Sequence, residues 1–197
     1  MQNLSAPPIV LASSSRYRRE LLQRLLDQFQ SVAPGWDETP REGERPGDLV
    51  RRLSRSKAEA VAGKHRHALI IGADQVAVLG ARILGKPGNH RNAVEQLLQS
   101  SGQTLSFLTA ACILDPVTQQ AYEHTDVTRV RFRRFDASLA EAYLAQDRPY
   151  DCAGSFRIEG AGFLLFESVT TGDPTALVGL PMIWLAGVLL ELGYLQP

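Results

Sequence analysis

The chain has 197 residues, of which 44% are hydrophobic and 21% charged, and its formal net charge is zero. A neutral chain argues against non-specific nucleic-acid binding as the main activity. This length can bury the core of one domain, so we expect residues 1–197 to form a single domain. The two cysteines, Cys112 and Cys152, stand far apart, which argues against a structural zinc site and favours a reducing, cytoplasmic compartment.

The first half of the chain alternates short apolar strands with amphipathic helices. A strand is predicted over Ile9–Ala12, followed by a helix from about Tyr17 to Gln28 in which leucines recur at helical spacing. A second helix is predicted to be capped near Asp48. Its predicted core-facing residues are Leu49, Leu53, Ala60 and Val61.

A long apolar run over Ala68–Leu79 predicts a strand that is buried on both faces. Asp74 and Gln75 interrupt this run, and we expect them where the strand ends at a cleft. An isolated carboxylate is costly to bury, so a buried aspartate is normally paired, metal-bound or catalytic. Asp74 is therefore a candidate functional residue. A third helix is predicted from about His90 to Ser100.

The second half is richer in strand. Two long β-like runs, at 104–115 and 121–135, precede a helix that begins at Ser138 and ends near Gln146. Pro181 opens the last helix at its first turn. The apolar segment 176–190 is too short to span a bilayer, and we expect no membrane-spanning segment. This mixture predicts a three-layer α/β fold with a mixed sheet and two lobes around a central cleft.

The turn between the first strand and helix contains Ser13, Ser15 and Arg18. Backbone amides, hydroxyl groups and the positive end of a helix dipole suit a phosphate, and an arginine can grip phosphate bidentately. Simple helix capping by the serines with a solvated arginine is the alternative interpretation. The segment alone does not decide between them.

Three further charged residues are ordinary when each is taken alone. Glu38 lies in a predicted loop, Lys57 on a predicted helix and Lys86 in a predicted loop, all usual places for solvated side chains. Together with Asp74 and the serine-rich turn, they supply charges for phosphate oxygens and carboxylates for a cation or a water. This is the inventory of a phosphoryl-transfer site.

The ordered motifs of the chain resemble those of the Maf family of nucleoside triphosphate pyrophosphatases. They run from Leu11 to Leu189, and the motifs are Leu-Ala-Ser-x-Ser-x-x-Arg at 11–18, Asp-Glu-Thr-Pro at 37–40, Lys-Ala at 57–58, Gly-Ala-Asp at 72–74, Gly-Lys-Pro at 85–87, Ser-Gly at 101–102, Cys-Ala-Gly-Ser-Phe at 152–156, Asp-Pro at 173–174 and Val-Gly-Leu-Pro at 178–181. The resemblance implies a Maf/ITPase-like fold. It also implies hydrolysis of a nucleoside triphosphate between its α and β phosphates, with release of diphosphate.

The resemblance assigns a role to each candidate residue. The general base falls on Asp74, and Glu38 and Asp74 are the implied ligands of a divalent cation such as Mg²⁺ or Mn²⁺. The implied substrate-binding residues are Ser13, Ser15, Arg18, Glu38, Lys57 and Lys86. Whether Asp74 acts as base or mainly as metal ligand is left open. The family commonly forms homodimers.

Three positions point to one branch of the family. Members that act on dTTP and UTP typically show Ser-Pro-Arg-Arg and Gly-Ala-Asp-Thr, whereas this chain has Tyr17, Gln75 and Glu159 at the diagnostic positions. An aromatic residue (usually Trp), Gln and Glu are typical of the branch that hydrolyses 7-methyl-GTP. A cationic 7-methylguanine stacks well on an aromatic face. Glu159 can accept two hydrogen bonds from guanine but only one from thymine or uracil.

Three alternatives are retained. A dTTP/UTP pyrophosphatase of the same family is the nearest one, and a non-catalytic nucleotide-binding regulator of cell division is the second. Alternating arginines at 129, 131 and 133 suggest a nucleic-acid module, although such a face is more often solvated or protects a sheet edge. We expect a nucleoside triphosphate as partner and no nucleic acid.

Overall fold

The computed structural model describes residues 2–3 and 6–196. In this part of the chain the strands are β1 (Ile9–Ala12), β2 (Gln30–Ser31), β3 (Leu69–Leu79), β4 (Arg82–Leu84), β5 (Thr104–Leu114), β6 (Ala121–Phe132) and β7 (Phe166–Thr170). The helices are α1 (Arg16–Gln23), α2 (Pro46–Ala62), α3 (His90–Ser100), α4 (Ala137–Asp147) and α5 (Met182–Glu191). Short 3₁₀ turns lie at Ala153–Ser155, Ala161–Leu165 and Ala176–Val178.

One seven-stranded sheet has the order β2-β1-β3-β5-β6-β7, and β4 pairs with β3 outside this order. β1 is parallel to both β2 and β3, whereas β4 is antiparallel to β3 and β7 is antiparallel to β6. The mixed α/β class with a mixed sheet is therefore confirmed. The β1–β3 register runs from Ile9 opposite Leu69 to Ala12 opposite Gly72. This parallel pairing stops just before Asp74.

The described chain divides into two compact units. The first contains the described residues up to Asp74, Thr109–Asp126 and the residues from Asp173 onward, and the second contains Gln75–Leu108 and Val127–Gly172. The two units agree with the two predicted lobes. That the lobes enclose a cleft, and that the whole chain forms a single domain, remain predictions.

Helices cover both faces of the sheet in the first unit. Alternate residues of β1, β3 and β5 pack against α1 and α5 on one face. The intervening residues of the same strands pack against α2 on the other face. Strand alternation sends successive side chains to opposite faces, which explains why these strands read as continuous apolar runs. The three layers predicted from the sequence are present here.

The second unit has its own core. Helices α3 and α4 pack against each other and against the 3₁₀ turns. Four phenylalanine rings form an edge-to-face cluster with centroid separations between 4.7 and 5.6 Å. They are Phe107, Phe132, Phe156 and Phe166. Such geometry is favoured by the ring quadrupoles and fixes the packing of the unit.

Two helix predictions were wrong in detail. Helix α1 ends at Gln23 rather than near Gln28. The sequence predicted a longer helix because the apolar spacing extends to Leu26, which lies beyond the helix but also packs into the core. Helix α2 begins at Pro46 without a side-chain cap, and Asp48 lies in its first turn. Proline there needs no N–H partner and an acidic first turn favours the helix dipole, so no cap at Asp48 is required. Ala60 is exposed.

Two strand predictions also need correction. Asp74 and Gln75 lie within β3, which continues to Leu79, rather than at its end. Strand β6 ends at Phe132 instead of Phe135, because the pairing with β7 is irregular between Arg131 and Phe132.

Candidate active site

The serine-rich turn after β1 is held together by its own hydroxyl groups. The Oγ of buried Ser13 accepts the N–H of Ser15 at 3.1 Å. Ser15 is the N-cap of α1, and its Oγ accepts the N–H of Arg18 at 3.4 Å. A hydroxyl that accepts still has a proton to donate. Helix capping by Ser15 is confirmed, and phosphate binding by the same hydroxyls stays a prediction.

The Arg18 guanidinium connects two backbone segments of the first unit. Its Nε donates to the Gly179 carbonyl at 3.0 Å and its Nη1 donates to the Ala73 carbonyl at 2.9 Å. Burial lowers the pKa of Arg18, and the carboxylates of Asp74 and Glu38 act in the opposite direction. An arginine stays charged in such surroundings. Arg18 is thus a fixed cation beside two carboxylates, not the solvated arginine of the alternative interpretation.

Lys57 is buried between two acidic side chains. Only 5% of the residue is exposed, and its Nζ lies 2.6 Å from Asp74 Oδ1 and 2.5 Å from Glu38 Oε1. The Asp74 side chain is 7% exposed, whereas that of Glu38 is 55% exposed. The alternative that Lys57 is an ordinary solvated lysine is therefore wrong. Its charge is what makes a buried Asp74 tolerable.

Gly72 explains how α2 brings Lys57 to the strand. A Cβ at this position would lie 2.1 Å from the Ser54 carbonyl oxygen and 2.9 Å from the Ala58 nitrogen. Both atoms belong to the backbone of α2. Only glycine allows this close approach. The glycine of the Gly-Ala-Asp motif thus sets the distance between the helix that carries Lys57 and the strand that carries Asp74.

The loop that carries Glu38 is fixed to α2 by Arg52. The Nε of Arg52 donates to Glu44 Oε1 at 2.6 Å, and its Nη2 donates to the Thr39 carbonyl at 3.2 Å. Hydrogen bonds from Arg52 and from the Arg41 N–H lower the pKa of Glu44 to about 2. The sequence analysis missed this clamp, because Arg52 is one of several arginines on α2 and nothing in the spacing distinguishes it.

Asp37 shapes the same loop locally. It accepts the N–H of Thr39 at 2.9 Å and the Thr39 hydroxyl at 2.6 Å. These hydrogen bonds lower the pKa of Asp37. This arrangement explains the Asp-Glu-Thr-Pro motif: Asp37 folds the turn that presents Glu38.

Lys86 belongs to the second unit and lies exposed in the loop between β4 and α3. Side chains of α3 hold this loop: Asn92 Nδ2 donates to the Pro87 carbonyl at 2.9 Å and Gln96 Nε2 donates to the Gly85 carbonyl at 3.2 Å. The loop backbone is therefore fixed while the lysine projects into solvent.

Glu159 is exposed on a turn of the second unit that α4 supports. The Arg157 N–H donates to the Tyr143 hydroxyl at 3.1 Å, and the Ala161 N–H donates to Asp147 Oδ2 at 2.8 Å. A Cβ at Gly160 would lie 2.1 Å from Asp147 Oδ2. Both ends of the turn are thus fixed by buried polar groups of α4.

The two remaining residues predicted to set specificity, Tyr17 and Gln75, are half-buried. Gln75 follows Asp74 on β3 and belongs to the second unit. Tyr17 belongs to the first unit, and the guanidinium of Arg16 lies 4.7 Å from its ring centroid. One face of the ring is covered by this cation, so an incoming base would have to use the other face or displace Arg16.

Within the first unit the structure thus brings together Arg18, Glu38, Lys57 and Asp74. The described residues contain no group of three His, Cys, Asp or Glu side chains able to hold a metal ion. A cation at Glu38 and Asp74 would need further oxygen ligands from a substrate or water. Cys112 and Cys152 are free thiols, and burial raises the pKa of Cys112 to about 12. Cys112 is therefore a neutral core residue.

Comparison with known proteins shows which proteins this chain is related to. The chain is 47% identical over 194 residues to the 7-methyl-GTP pyrophosphatase of Cupriavidus metallidurans, covering 98% of each chain. It is 49% identical over 187 residues to the 7-methyl-GTP pyrophosphatase of Pseudomonas aeruginosa, covering 95% of this chain and 97% of that one. The solved structure of the Staphylococcus aureus Ham1 protein matches 79% of this chain and 89% of that chain at 14% identity, with a TM-score of 0.46 too low to support an argument.

The family described as Maf-like protein matches residues 8–192. That span includes every residue of the site described above. The chain belongs to the Maf family.

Proposed function

We infer that this protein is a nucleoside triphosphate pyrophosphatase that hydrolyses 7-methyl-GTP to 7-methyl-GMP and diphosphate. The observation that carries the inference is the buried Lys57 between Glu38 and Asp74. It occurs in a chain whose relatives at 47% and 49% identity are named for this activity. We infer a role in removing modified nucleotides.

The chemistry requires a water molecule to attack a phosphorus atom while the bond between the α and β phosphates breaks. Asp74 is proposed to accept a proton from that water. Lys57 holds the Asp74 carboxylate through a 2.6 Å contact to Oδ1, which leaves Oδ2 available. Arg18 and Lys57 place positive charge where charge develops on the phosphate oxygens. The hydroxyls of Ser13 and Ser15 and the ammonium of Lys86 are proposed to bind phosphate oxygens.

A divalent cation fits the donors that this site offers. Glu38 and Asp74 are carboxylates, the hard oxygen ligands that Mg²⁺ and Mn²⁺ prefer, with substrate phosphates and water completing the shell. Such a cation would neutralise charge on the triphosphate. The carboxylates would then exchange part of their contact with Lys57 for the cation.

Recognition of the base is proposed for Tyr17, Gln75 and Glu159. The exposed position of Glu159 has an energetic consequence. A mispaired carboxylate is costly only where water is excluded, so the selectivity depends on the bound nucleotide burying Glu159. A homodimer in the cytoplasm is proposed on the family resemblance alone.

The contacts of Arg131, in β6, and of Arg133, just after it, favour a structural role over nucleic-acid binding. Arg131 Nε lies 2.8 Å from Glu167 Oε2 of β7, and Arg133 donates to the Phe166 carbonyl. These contacts tie the end of β6 to β7, and Arg131 is paired with a carboxylate. Among the described residues no helix has the length and apolar character needed to cross a membrane.

The test is diphosphate release with Mg²⁺ or Mn²⁺ from 7-methyl-GTP, GTP, dTTP, UTP and ITP. We expect the highest kcat/KM for 7-methyl-GTP and loss of turnover in Asp74→Asn, which keeps the side-chain shape. Asp115→Asn, on the β5–β6 hairpin, is the matched control and should remain active. Preference for dTTP or UTP would overturn the substrate assignment, and no turnover of any nucleotide would favour the regulator.

A further inference from the structure

Asp173 is a buried carboxylate to which the proposed reaction assigns no role. It is 4% exposed and lies at the start of a segment that leads into α5. Its Oδ1 accepts the N–H of Thr175 at 2.8 Å, and its Oδ2 accepts the N–H of Ile183 at 2.7 Å. One carboxylate therefore contacts both ends of residues 173–183, which are named here the pre-α5 turn and include the first two residues of α5.

Thr175 closes the pre-α5 turn from inside. Its Oγ1 lies 2.5 Å from Asp173 Oδ1 and 2.9 Å from the Leu180 carbonyl oxygen, and it accepts the N–H of Met182 at 2.9 Å. Since Leu180 follows Gly179 directly, these contacts fix the peptide that carries the Gly179 carbonyl. Together the Asp173 and Thr175 side chains leave the turn little freedom.

Gly179 is the point at which the pre-α5 turn contacts the site. Its φ of 130° lies in the region that favours glycine, and a Cβ there would lie 3.3 Å from both Cγ and Nε of Arg18. The absence of a side chain lets the Gly179 carbonyl accept the Arg18 Nε at 3.0 Å. The carbonyl orients one edge of the guanidinium.

The same guanidinium holds the strand that carries the proposed base. Arg18 Nη1 donates to the carbonyl of Ala73, the residue before Asp74, at 2.9 Å. The parallel pairing of β3 with β1 has already ended at Gly72, so Arg18 contacts the backbone where that ladder stops. Hydrogen bonds therefore connect Asp173 through Thr175 to Leu180, whose covalent neighbour Gly179 accepts from Arg18. Arg18 in turn donates to the carbonyl of Ala73, the residue before Asp74.

We propose that Asp173 is a positioning residue for hydrolysis: it fixes the pre-α5 turn, and through the Gly179 carbonyl it orients Arg18 and thereby Asp74. The proposal rests on the proposed function. It also gives Arg18 a second duty, because two of its N–H groups hold backbone carbonyls and the others remain for phosphate oxygens. The competing view is that Asp173 only caps the N-terminus of α5 and contributes to stability.

A double-mutant cycle separates the two views. Asp173→Asn keeps the size of the side chain but replaces one acceptor oxygen with an NH₂ group, so it cannot accept from Thr175 and Ile183 together. Arg18→Lys keeps the charge but loses the planar fork that reaches two carbonyls. We expect Asp173→Asn to lower kcat for 7-methyl-GTP about 10-fold with KM changed less than about threefold, because a small misplacement of catalytic groups is costly.

In the Arg18→Lys background the same Asp173→Asn change should lower kcat less than about twofold, because its route to Asp74 is already broken. Equal fold losses in both backgrounds would overturn the proposal. Asp115→Asn is the control, because Asp115 also accepts a following N–H and a threonine hydroxyl, in the β5–β6 hairpin. It should leave kcat unchanged. An inactive wild-type enzyme would refute the proposed function instead.

A second pair of variants tests the proposal if Asp173→Asn folds poorly or if Arg18→Lys turns over too slowly to be measured. Thr175→Val removes the hydroxyl with little change of shape, and Thr175→Ser retains it. Measured well below the melting temperature, Thr175→Val should lower kcat several-fold, whereas Thr175→Ser should stay near wild type. A fall in melting temperature with unchanged kcat in Thr175→Val would show that the turn is only structural.

Discussion

Lys57 combines a charged side chain with near-complete burial, which is rare for lysine. Its ammonium lies between the buried carboxylate of Asp74 and the exposed carboxylate of Glu38. The buried partner dominates the energetics, because solvent screens the contact with Glu38. The charge of Lys57 therefore contributes to folding as well as to the proposed chemistry.

Replacing Lys57 with methionine tests this double contribution. Lys57→Met removes the cation that directly contacts Asp74 and leaves Arg18 nearby, and we expect the free energy of unfolding to fall by about 3 kcal/mol. The double variant Lys57→Met/Asp74→Asn should recover more than half of that loss, because the carboxylate that Lys57 contacted is replaced by a neutral amide. Both variants should be inactive. Denaturant unfolding and diphosphate release measure the two effects, and wild-type stability in Lys57→Met would contradict the claim that Lys57 offsets the charge of buried Asp74.

Glu44 gives the loop of Glu38 a dependence on acid. Its pKa is lowered from 4.5 to about 2 by the hydrogen bonds from Arg52 and Arg41. A carboxylate with a depressed pKa stabilises the folded state above its unfolded pKa, and this contribution is lost as pH falls through the folded value. The window is therefore from about pH 4.5 down to about pH 2.

Glu44→Gln tests this sign. The wild type should melt at a higher temperature than Glu44→Gln near neutral pH, because only the carboxylate pairs with the Arg52 charge. The difference should shrink as the pH falls through that window and vanish at its acid end. Thermal melting over a pH series measures it. A difference that does not vary with pH would show that Glu44 acts through shape alone.

Among the secondary-structure elements, the contact between α2 and β3 determines whether the site can form. The two backbones approach so closely at Gly72 that no side chain fits there. A displaced α2 would move Lys57 and Arg52 together, since both belong to this helix. The Lys57 contact and the Arg52 clamp thus depend on one packing distance.

Gly72→Ala should force the helix away from the strand. We expect a fall in unfolding free energy of about 2 kcal/mol, because overpacking against rigid backbone is costly. We also expect kcat to fall at least about 10-fold. Gly63→Ala, at the end of the same helix, is the control, because a Cβ at Gly63 meets nothing within 4 Å. Equal behaviour of the two variants would refute the close-approach argument.

Helix α4 has a comparable relation to the turn that carries Glu159. Tyr143 is buried, burial raises the pKa of its hydroxyl, and that neutral hydroxyl accepts the Arg157 N–H. The position of Glu159 therefore depends on a helix residue that is buried in the core.

Tyr143→Phe should reduce selectivity more than turnover. Loss of one hydrogen bond near Glu159 should lower the kcat/KM ratio of 7-methyl-GTP to dTTP about fivefold. Tyr150→Phe is the control, because the Tyr150 hydroxyl contacts His90 instead. That variant should keep the wild-type ratio. An unchanged kcat/KM ratio in Tyr143→Phe would show that the turn carrying Glu159 does not determine which base is recognised.

Across the whole molecule, the sequence predicted the classes of element and their order better than the contacts between them. The β1–β3 core and the mixed sheet follow from apolar runs and turn residues, and the candidate residues from ordered motifs. The spacing of α2 places Lys57 on the same face as Leu53 and Val61, but its two carboxylate partners, Asp74 and Glu38, lie on other elements and could not be predicted from that spacing. The bond from Arg18 to Gly179 joins residues 161 positions apart, a separation at which local pattern carries no information.

The charges around Asp74 have a consequence for how the substrate arrives. Arg18 and Lys57 are cations and Glu38 and Asp74 are anions, so this centre is formally neutral, as is the whole chain. A protein without net charge exerts little long-range electrostatic attraction on a triphosphate. Capture should therefore follow ordinary diffusion, and kcat/KM should change less than about threefold when the ionic strength rises from about 0.05 M to about 0.3 M.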